Sequence, residues 1–179
     1  MRTIEGFAQH YEWGDPDAIP ALLGRARDGQ PWAEWWLGTH PDGASSLADG
    51  SPLSNVSGEL PYLLKLLAAA RPLSMQTHPD SQQATAGFNR EQREGLAADN
   101  PKRLYTDPYA KPEMLCALSP FDALCGFRPI AATVSMLREL GLTELARTLT
   151  TEGLQATVTQ LYRGDIDHRA ISDSCRGQH

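Results

Sequence analysis

The stretch "LPYLLKLLAAARPLSMQTHPD", Leu60 to Asp80, decides the fold that we expect for this chain. Its apolar run is long enough for a buried helix, and periodicity alone does not separate that helix from two strands. Pro61 and Pro72 break the run into strand-sized pieces, which favours two strands joined by a turn at "AARP". A polar pair, Gln76 and His78, then stands at the end of the second predicted strand.

The polar residues of this predicted strand need a reason. Residues two apart on a strand point to the same side, so Ser74, Gln76 and His78 share one face. The same alternation in "YAKPEMLCAL" brings Lys111 and Glu113 together on another predicted strand. An amide, an imidazole and a carboxylate are competent ligands for a divalent ion such as zinc, and an incomplete protein shell leaves a position for substrate.

Taken alone, both patterns are short enough to occur by accident. The structural alternative is a histidine held by hydrogen bonds at a strand end, with a lysine and a glutamate on a solvated face. Spacing by itself favours that alternative.

The chain divides into three stretches by character. Residues 1–128 hold short apolar runs broken by Gly, Pro, Asp and Ser, which indicates a β-rich fold with long turns. Within them, a surface helix is predicted from Asp80 to Gly95, with Asp80 or Ser81 as its N-cap. Residues 129–163 predict a helix that ends at Gly141 and two more short helices, and residues 164–179 predict a poorly packed tail.

Composition excludes several classes of protein. The 179 residues carry a formal charge of -6 with both signs interspersed, so nucleic acid is not an expected partner. The N-terminus lacks an apolar leader and no run approaches a membrane span, so we expect a soluble, cytoplasmic protein with no membrane partner. Three cysteines, Cys116, Cys125 and Cys175, argue against a disulfide framework, and the first two are expected to fill small spaces in the core.

Four segments of this sequence resemble the type I mannose-6-phosphate isomerases. They are "HYEWGDPDAIPALLG", "PWAEWWLGTHPDGASSL", "LPYLLKLLAAARPLSMQTHPD" and "DPYAKPEMLCALSPFDALCGFR". They occur in the family's order with sensible spacing, and the likeness covers about residues 1–162. This match is far more specific than a single tripeptide.

The resemblance implies a fold, a cofactor and a set of site residues. The fold is mainly β with α, a cupin-type jelly roll, here incomplete, followed by a helical insertion. The cofactor is one zinc ion per chain, bound by Gln76, His78 and Glu113. Lys111 is implied as a catalytic and substrate-binding residue, with Trp13 in the same pocket and Ser74 near the substrate phosphate.

The activity implied is the interconversion of mannose 6-phosphate and fructose 6-phosphate, with a small sugar phosphate as partner. The chain departs from the family in length, and "DIDHRAISDSCRGQH" resembles nothing in it, so a truncated product without the C-terminal half is expected. A fourth metal ligand and the catalytic base are not identified, and neither His168 nor His179 sits in a matching motif. Oligomeric state is not predicted.

Two other functions stay open at this point. One is a non-catalytic, metal-binding cupin remnant or sugar-phosphate sensor, and the other is a metal-dependent cupin oxygenase. The oxygenase fits less well, because such sites usually offer two or three histidines and Gln76 takes the place of one.

Several other residues have ordinary structural explanations. Trp13 is as readily a core aromatic as a pocket residue. His40 lies in a predicted turn, "GTHPDG". Lys65 either extends its ammonium group to the surface or faces the pocket, and the surface is the favoured expectation. Glu34 and its two tryptophan neighbours are expected to be structural.

Overall fold

The structure, a computed structural model, describes residues 2–176 as a mixed α/β chain with small sheets. The sequence predicted a mainly β chain, but in this range helical residues outnumber strand residues. Contacts divide the chain into two compact units, one that ends at Glu113 and one that starts at Met114. The predicted division at residues 128 and 129 stays a prediction.

The first unit contains two small antiparallel sheets. β1 (Ile4–Glu5) pairs with β4 (Ser46–Leu47). β2 (Phe7–Gln9), β3 (Glu34–Leu37) and β5 (Leu64–Leu67) form the second sheet, with β3 in its centre. The central strand is therefore paired on both sides, and its two faces decide what the sheet does.

One face of the second sheet is the core of this unit. Directly paired residues of an antiparallel sheet project to the same side. Ala8, Trp35 and Leu66 are paired in this way and pack with Ile19 and Trp32. The two indole rings stack with centroids 5.5 Å apart, an arrangement worth about 1 kcal/mol beyond the area it buries. The apolar face packs the sheet against the core of this unit, and the opposite face carries side chains of a different kind.

The opposite face carries polar and aromatic groups. Trp36 of β3 lies directly across from Lys65 of β5, and Glu34 lies two residues before Trp36 on the same side. Glu34 is buried, and its carboxylate accepts a hydrogen bond from the Trp36 indole N–H at 2.7 Å. The Trp36 indole N–H and the Lys65 ammonium satisfy this buried carboxylate, which allows it to remain on the face.

Two short helices and one longer helix complete the first unit. α1 (Ala18–Leu22) supplies Ile19 to the core, and α2 (Ser54–Ser57) is a single turn. α3 (Ser81–Arg93) begins at the predicted N-cap, Asp80. The predicted helix over this stretch is confirmed.

The second unit is helical. α4 (Ile130–Glu139) and α5 (Thr143–Arg163) pack through a small core of Val134, Leu137, Ala146 and Leu149. α5 is kinked at Gly153, where φ is +82°, so it corresponds to the two predicted short helices. α6 (His168–Arg176) lies in the stretch predicted as a poorly packed tail, and the last three residues of that tail are outside the described part.

Two predicted strands are wrong. The stretches "LSMQTH", residues 73–78, and "YAKPEMLCAL", residues 109–118, are not strands, because neither has a backbone partner in the two sheets of residues 2–176. The structure confirms the first half of the predicted pair, β5, and the bend at residues 70 and 71 that follows it.

The prediction that Cys116 and Cys125 fill the core is also wrong, since both are exposed. Residues 111–130 are exposed throughout, including Met114 at 89% and Leu124 at 96%. Among the described helices, none has the length and apolar character needed to cross a lipid bilayer.

Candidate metal centre

The structure brings together His78 and Glu113, which lie 35 residues apart in the sequence. The imidazole Nε2 lies 3.3 Å from a carboxylate oxygen of Glu113. Zinc holds nitrogen and oxygen ligands at about 2.0–2.2 Å, so two ligands of a tetrahedral ion are about 3.3 Å apart. The observed separation therefore suits two groups that share one ion, and it also suits a direct ion pair.

Gln76 lies two residues before His78 in the same exposed segment, and Ser74 lies two residues before that. Within residues 2–176, no three His, Cys, Asp or Glu side chains are grouped so that they could hold a metal ion. The predicted ligand set contains only two residues of those types, because its third member is an amide. The donor chemistry of an amide oxygen, an imidazole and a carboxylate fits zinc with positions left for other ligands.

Lys65 connects this pair to the sheet below it. Its ammonium lies 3.4 Å from the carboxylate of Glu34, which is buried, and 3.4 Å from the carboxylate of Glu113, which is exposed. Lys65 therefore bridges the carboxylates of Glu34 and Glu113, and Glu113 in turn contacts His78. Lys65 is partly exposed, but its ammonium pairs with both carboxylates, so of the two predicted positions the structure favours the one that faces the candidate centre.

Lys111 has a different carboxylate partner from the one predicted. Its ammonium pairs with Asp107 at 2.8 Å, while Glu113 is held by Lys65 and His78. Partial burial raises the pKa of Asp107, but the hydrogen bond from Lys111, the backbone N–H of Tyr109 and nearby positive charge outweigh it and lower the pKa. Asp107 consequently stays ionised and fixes the Lys111 side chain two residues before Glu113.

Trp13 is half-buried and stacks on Tyr11 with ring centroids 5.7 Å apart. Its backbone carbonyl accepts hydrogen bonds from Ala70 and Arg71, which ties it to the turn after β5. The next residue, Gly14, lies so close to β3 that an added Cβ would be 2.4 Å from the Ala33 backbone nitrogen. The Trp-Gly pair is thus placed by a close approach that only glycine permits.

The pKa of Tyr11 depends on the charges of Glu34 and Lys65. Burial raises its pKa, the carboxylate of Glu34 adds to that effect, and the positive charge of Lys65 opposes it. The phenol consequently remains protonated at neutral pH. Tyr11 and Glu34 were not predicted as site residues.

Two histidines outside the candidate centre, His10 and His40, have structural partners. His40 lies in the predicted turn, where its carbonyl accepts the Gly43 N–H and its ring meets the edge of Trp36. His10 lies with Nδ1 2.7 Å from the Pro31 carbonyl oxygen. Neither contact points to a metal site.

A cavity of about 530 Å³ opens beside His78. It is lined on one side by the segment that carries the histidine and on the other by α3 and the chain that follows it (Thr77, His78, Pro79, Gln83, Leu104 and Tyr105). This volume is large enough for a small polar ligand.

Known proteins give this geometry a context. Residues 51–130 match the family described as phosphomannose isomerase type I, catalytic domain. Mannose-6-phosphate isomerase from Salmonella typhimurium is 38% identical over 159 residues, which are 77% of this chain and 41% of the relative. The human enzyme of the same name is 32% identical over 161 residues, 74% of this chain and 36% of the relative.

Solved structures agree. A crystal structure of mannose 6-phosphate isomerase from Salmonella typhimurium, bound to its substrate fructose 6-phosphate and to zinc, superimposes with a TM-score of 0.76. It shares 33% sequence identity, and the match covers 90% of this chain and 46% of that one. The chain is therefore similar to the N-terminal part of type I phosphomannose isomerases, and residues 51–130 match their catalytic domain.

Most of the predicted site lies within the part that matches the phosphomannose isomerase catalytic domain. Ser74, Gln76, His78, Lys111 and Glu113 are inside residues 51–130, whereas Trp13 precedes them. The chain spans about two fifths of the length of the curated phosphomannose isomerases it matches.

Sequence reasoning missed Glu34 and did not place Lys65 between two carboxylates beside the candidate centre. A signal was present, since an acidic and a basic residue each interrupt an apolar strand sequence, "AEWWL" and "YLLKLL". Opposite charges on two apolar strands are worth testing as a cross-strand pair.

Proposed function

We propose that this chain carries the zinc-binding part of an aldose–ketose isomerase that interconverts mannose 6-phosphate and fructose 6-phosphate. The observation that supports it most is the 3.3 Å approach of His78 to Glu113, because both residues lie inside the segment that matches the family's catalytic domain. The names of the relatives and the fructose 6-phosphate bound to the similar crystal structure support the same substrate class.

The proposed ligands of one zinc ion are Gln76, His78 and Glu113. Bound there, zinc supplies positive charge that stabilises a substrate oxygen as it becomes negative. Lys65, which also pairs with Glu34, lies 3.4 Å from one oxygen of the Glu113 carboxylate, and the other oxygen lies 3.3 Å from His78.

The other site residues take roles that follow from their chemistry. Moving a proton between C1 and C2 of the sugar puts negative charge on neighbouring oxygens, and the Lys111 ammonium is the proposed catalytic cation that offsets it. Asp107 fixes the position of that ammonium. The Trp13 ring and the Ser74 hydroxyl are proposed to contact the substrate, the hydroxyl at its phosphate.

The frame proposed for this chemistry is the cupin-type jelly roll that the family resemblance implies, and the cytoplasm is its proposed location. A sugar phosphate is charged and does not cross a bilayer unaided, which supports an enzyme placed where the substrate is made.

A coupled assay for fructose 6-phosphate formation tests the function. We expect zinc-dependent conversion of mannose 6-phosphate when this part is joined to the C-terminal half that the longer relatives have, and His78→Ala and Glu113→Gln each to lower kcat/KM of that protein by roughly a hundredfold or more. His10→Ala is the matched control, because that exposed imidazole contacts the Pro31 carbonyl oxygen and the Trp32 ring rather than the proposed centre.

Two results would count against the isomerase. Turnover unaffected by His78→Ala would remove the proposed metal centre from the reaction. Zinc binding through His78 with no turnover would instead favour the non-catalytic, metal-binding protein.

A further inference from the structure

Helix α3 begins directly after the segment that carries His78. The side chain of its N-cap, Asp80, accepts the Gln83 backbone N–H at 2.7 Å, and the Gln83 side chain accepts the Asp80 N–H at 3.2 Å. This reciprocal capping box fixes where the helix starts. His78 is consequently two residues away from a rigid helix end.

The other end of α3 holds the chain that returns toward Glu113. Glu91 is only 3% exposed, and its carboxylate accepts the backbone N–H groups of Leu104 at 3.2 Å and Tyr105 at 2.9 Å. A buried carboxylate is retained where its hydrogen bonds are satisfied, and here both partners belong to one short segment.

Residues 103–105, the segment that returns toward Glu113, also make contacts through their own side chains. Arg103 donates to the Leu96 carbonyl at 2.7 Å and to the Tyr105 carbonyl at 2.9 Å. The Tyr105 ring lies against Gly87 of α3, where an added Cβ would be 2.5 Å from the ring. Residues 103–105 are therefore fixed on the surface of the helix by bonds at both ends and by ring contact.

The contacts between α3 and the returning segment continue toward the candidate metal centre. Thr85 of α3 donates to the Pro108 carbonyl at 3.2 Å, and the neighbouring residue, Asp107, pairs with Lys111. Glu113 follows five residues after Pro108. The chain between His78 and Glu113 thus leaves the centre, is attached to α3 at several points and comes back to within 3.3 Å of where it started.

We propose that Glu91 is a positioning residue for the candidate metal centre, acting through the backbone of Leu104 and Tyr105. Its carboxylate fixes the path of the returning segment on α3 and so fixes how Glu113 approaches His78. The cavity beside His78, whose far wall is Leu104 and Tyr105, depends on the same bonds. This inference rests on the proposed zinc site.

Zinc affinity and the absorption spectrum of bound cobalt test the inference on the full chain, because neither readout requires turnover. Glu91→Ala is expected to weaken zinc binding at least tenfold and to change the cobalt d–d bands. Glu91→Gln should restore part of the affinity, because its amide oxygen still accepts one backbone N–H. Glu94→Ala, on the exposed end of the same helix, should bind zinc like wild type.

Gly87→Ala separates positioning from folding of the helix. Alanine favours the helical state, so α3 should form, while the new methyl group displaces the Tyr105 ring. A weaker zinc affinity in this variant with an unchanged far-UV circular dichroism spectrum supports the inference. Should Glu91→Ala fail to fold, Glu91→Gln and Gly87→Ala decide the question.

Failure of this inference and failure of the proposed function give different zinc-binding results. If wild type binds zinc through His78 but folded Glu91→Gln and Gly87→Ala both bind it within twofold of wild type with the same cobalt spectrum, this inference is overturned and the proposed function stands. If wild type binds no zinc, or His78→Ala binds it equally well, the proposed metal centre fails and the inference fails with it.

Discussion

Lys65 lies between two carboxylates, and its position has a consequence for metal binding. Its ammonium is 3.4 Å from Glu113, a proposed ligand, and 3.4 Å from the buried Glu34. A cation this close to a ligand repels a second cation and competes for the same carboxylate oxygens. Lys65 therefore pairs with Glu113 when zinc is absent, and its positive charge lowers the affinity of the proposed site for zinc.

Removal of this charge gives the first prediction. Lys65→Met keeps most of the side-chain volume, and we expect it to tighten zinc binding by on the order of tenfold, the size of a charge repulsion across about 6 Å in a solvated site. Isothermal titration calorimetry measures the effect, with Lys102→Met, an exposed lysine, as control. Weaker zinc binding in Lys65→Met would mean that the lysine supports the metal site.

Asp107 gives a prediction about pH. Its pKa lies below the ordinary value of 3.8, so the folded state holds the ionised carboxylate more strongly than the unfolded state. The resulting stabilisation is fully present above about pH 4 and disappears as the pH falls through the lower, folded-state pKa. Because Lys111 is 46% exposed, the stabilisation amounts to about 1 kcal/mol or less.

The measurement compares wild type with Asp107→Asn by thermal unfolding between pH 7 and pH 3. The difference in Tm should be constant down to about pH 5 and should narrow below pH 4, whereas Asp99→Asn, at an exposed position, should follow wild type throughout. A difference that is equally large at pH 6 and pH 3 would show that the charge of Asp107 is not what stabilises the fold.

At the scale of elements, the helices of this chain follow from local sequence. Asp80 and Gln83 are three residues apart and make the capping box of α3 with each other. Gly141 lies just beyond the end of α4 with φ at +75°, a conformation that glycine adopts at little cost. Such signals lie within a few residues of the feature they control, so the sequence alone predicts them.

The strands do not follow in the same way. "LSMQTH" has the alternation of a strand, but a strand forms only where another backbone pairs with it, and residues 72–80 have no such partner in the described sheets. The cross-strand register that places Lys65 beside Glu34 is equally remote in sequence. Periodicity therefore predicts which residues can share a face and leaves their partners undetermined.

The candidate site likewise contains residues that a sequence motif predicts and residues whose contacts only the folded structure shows. Motif resemblance predicted His78 and Glu113 as members of one centre, and the structure brings them together. The pairing of Lys111 with Asp107, and the clamp between Glu91 and Tyr105, depend on contacts that no motif encodes. Residues of a recognisable motif are easier to predict than the residues that hold them in position.

At the scale of the whole molecule, apolar and thiol groups are available to water across residues 114–130. Leu118 is 79% exposed and Phe127 is 66% exposed, and the thiols of Cys116 and Cys125 are accessible as well. An exposed apolar surface of this kind favours association. The thiols matter more for the present account, since sulfur is a strong zinc ligand and offers an alternative to the proposed site.

X-ray absorption at the zinc edge of the zinc-loaded chain tests the central claim most directly, because it distinguishes sulfur from nitrogen and oxygen ligands. We predict one zinc per chain with only nitrogen and oxygen neighbours at about 2.0–2.2 Å, an imidazole contribution that is lost in His78→Ala, and no change when the three cysteines are replaced by serine. Zinc–sulfur distances of about 2.3 Å, or an imidazole signal that survives in His78→Ala, would contradict a metal centre built from Gln76, His78 and Glu113.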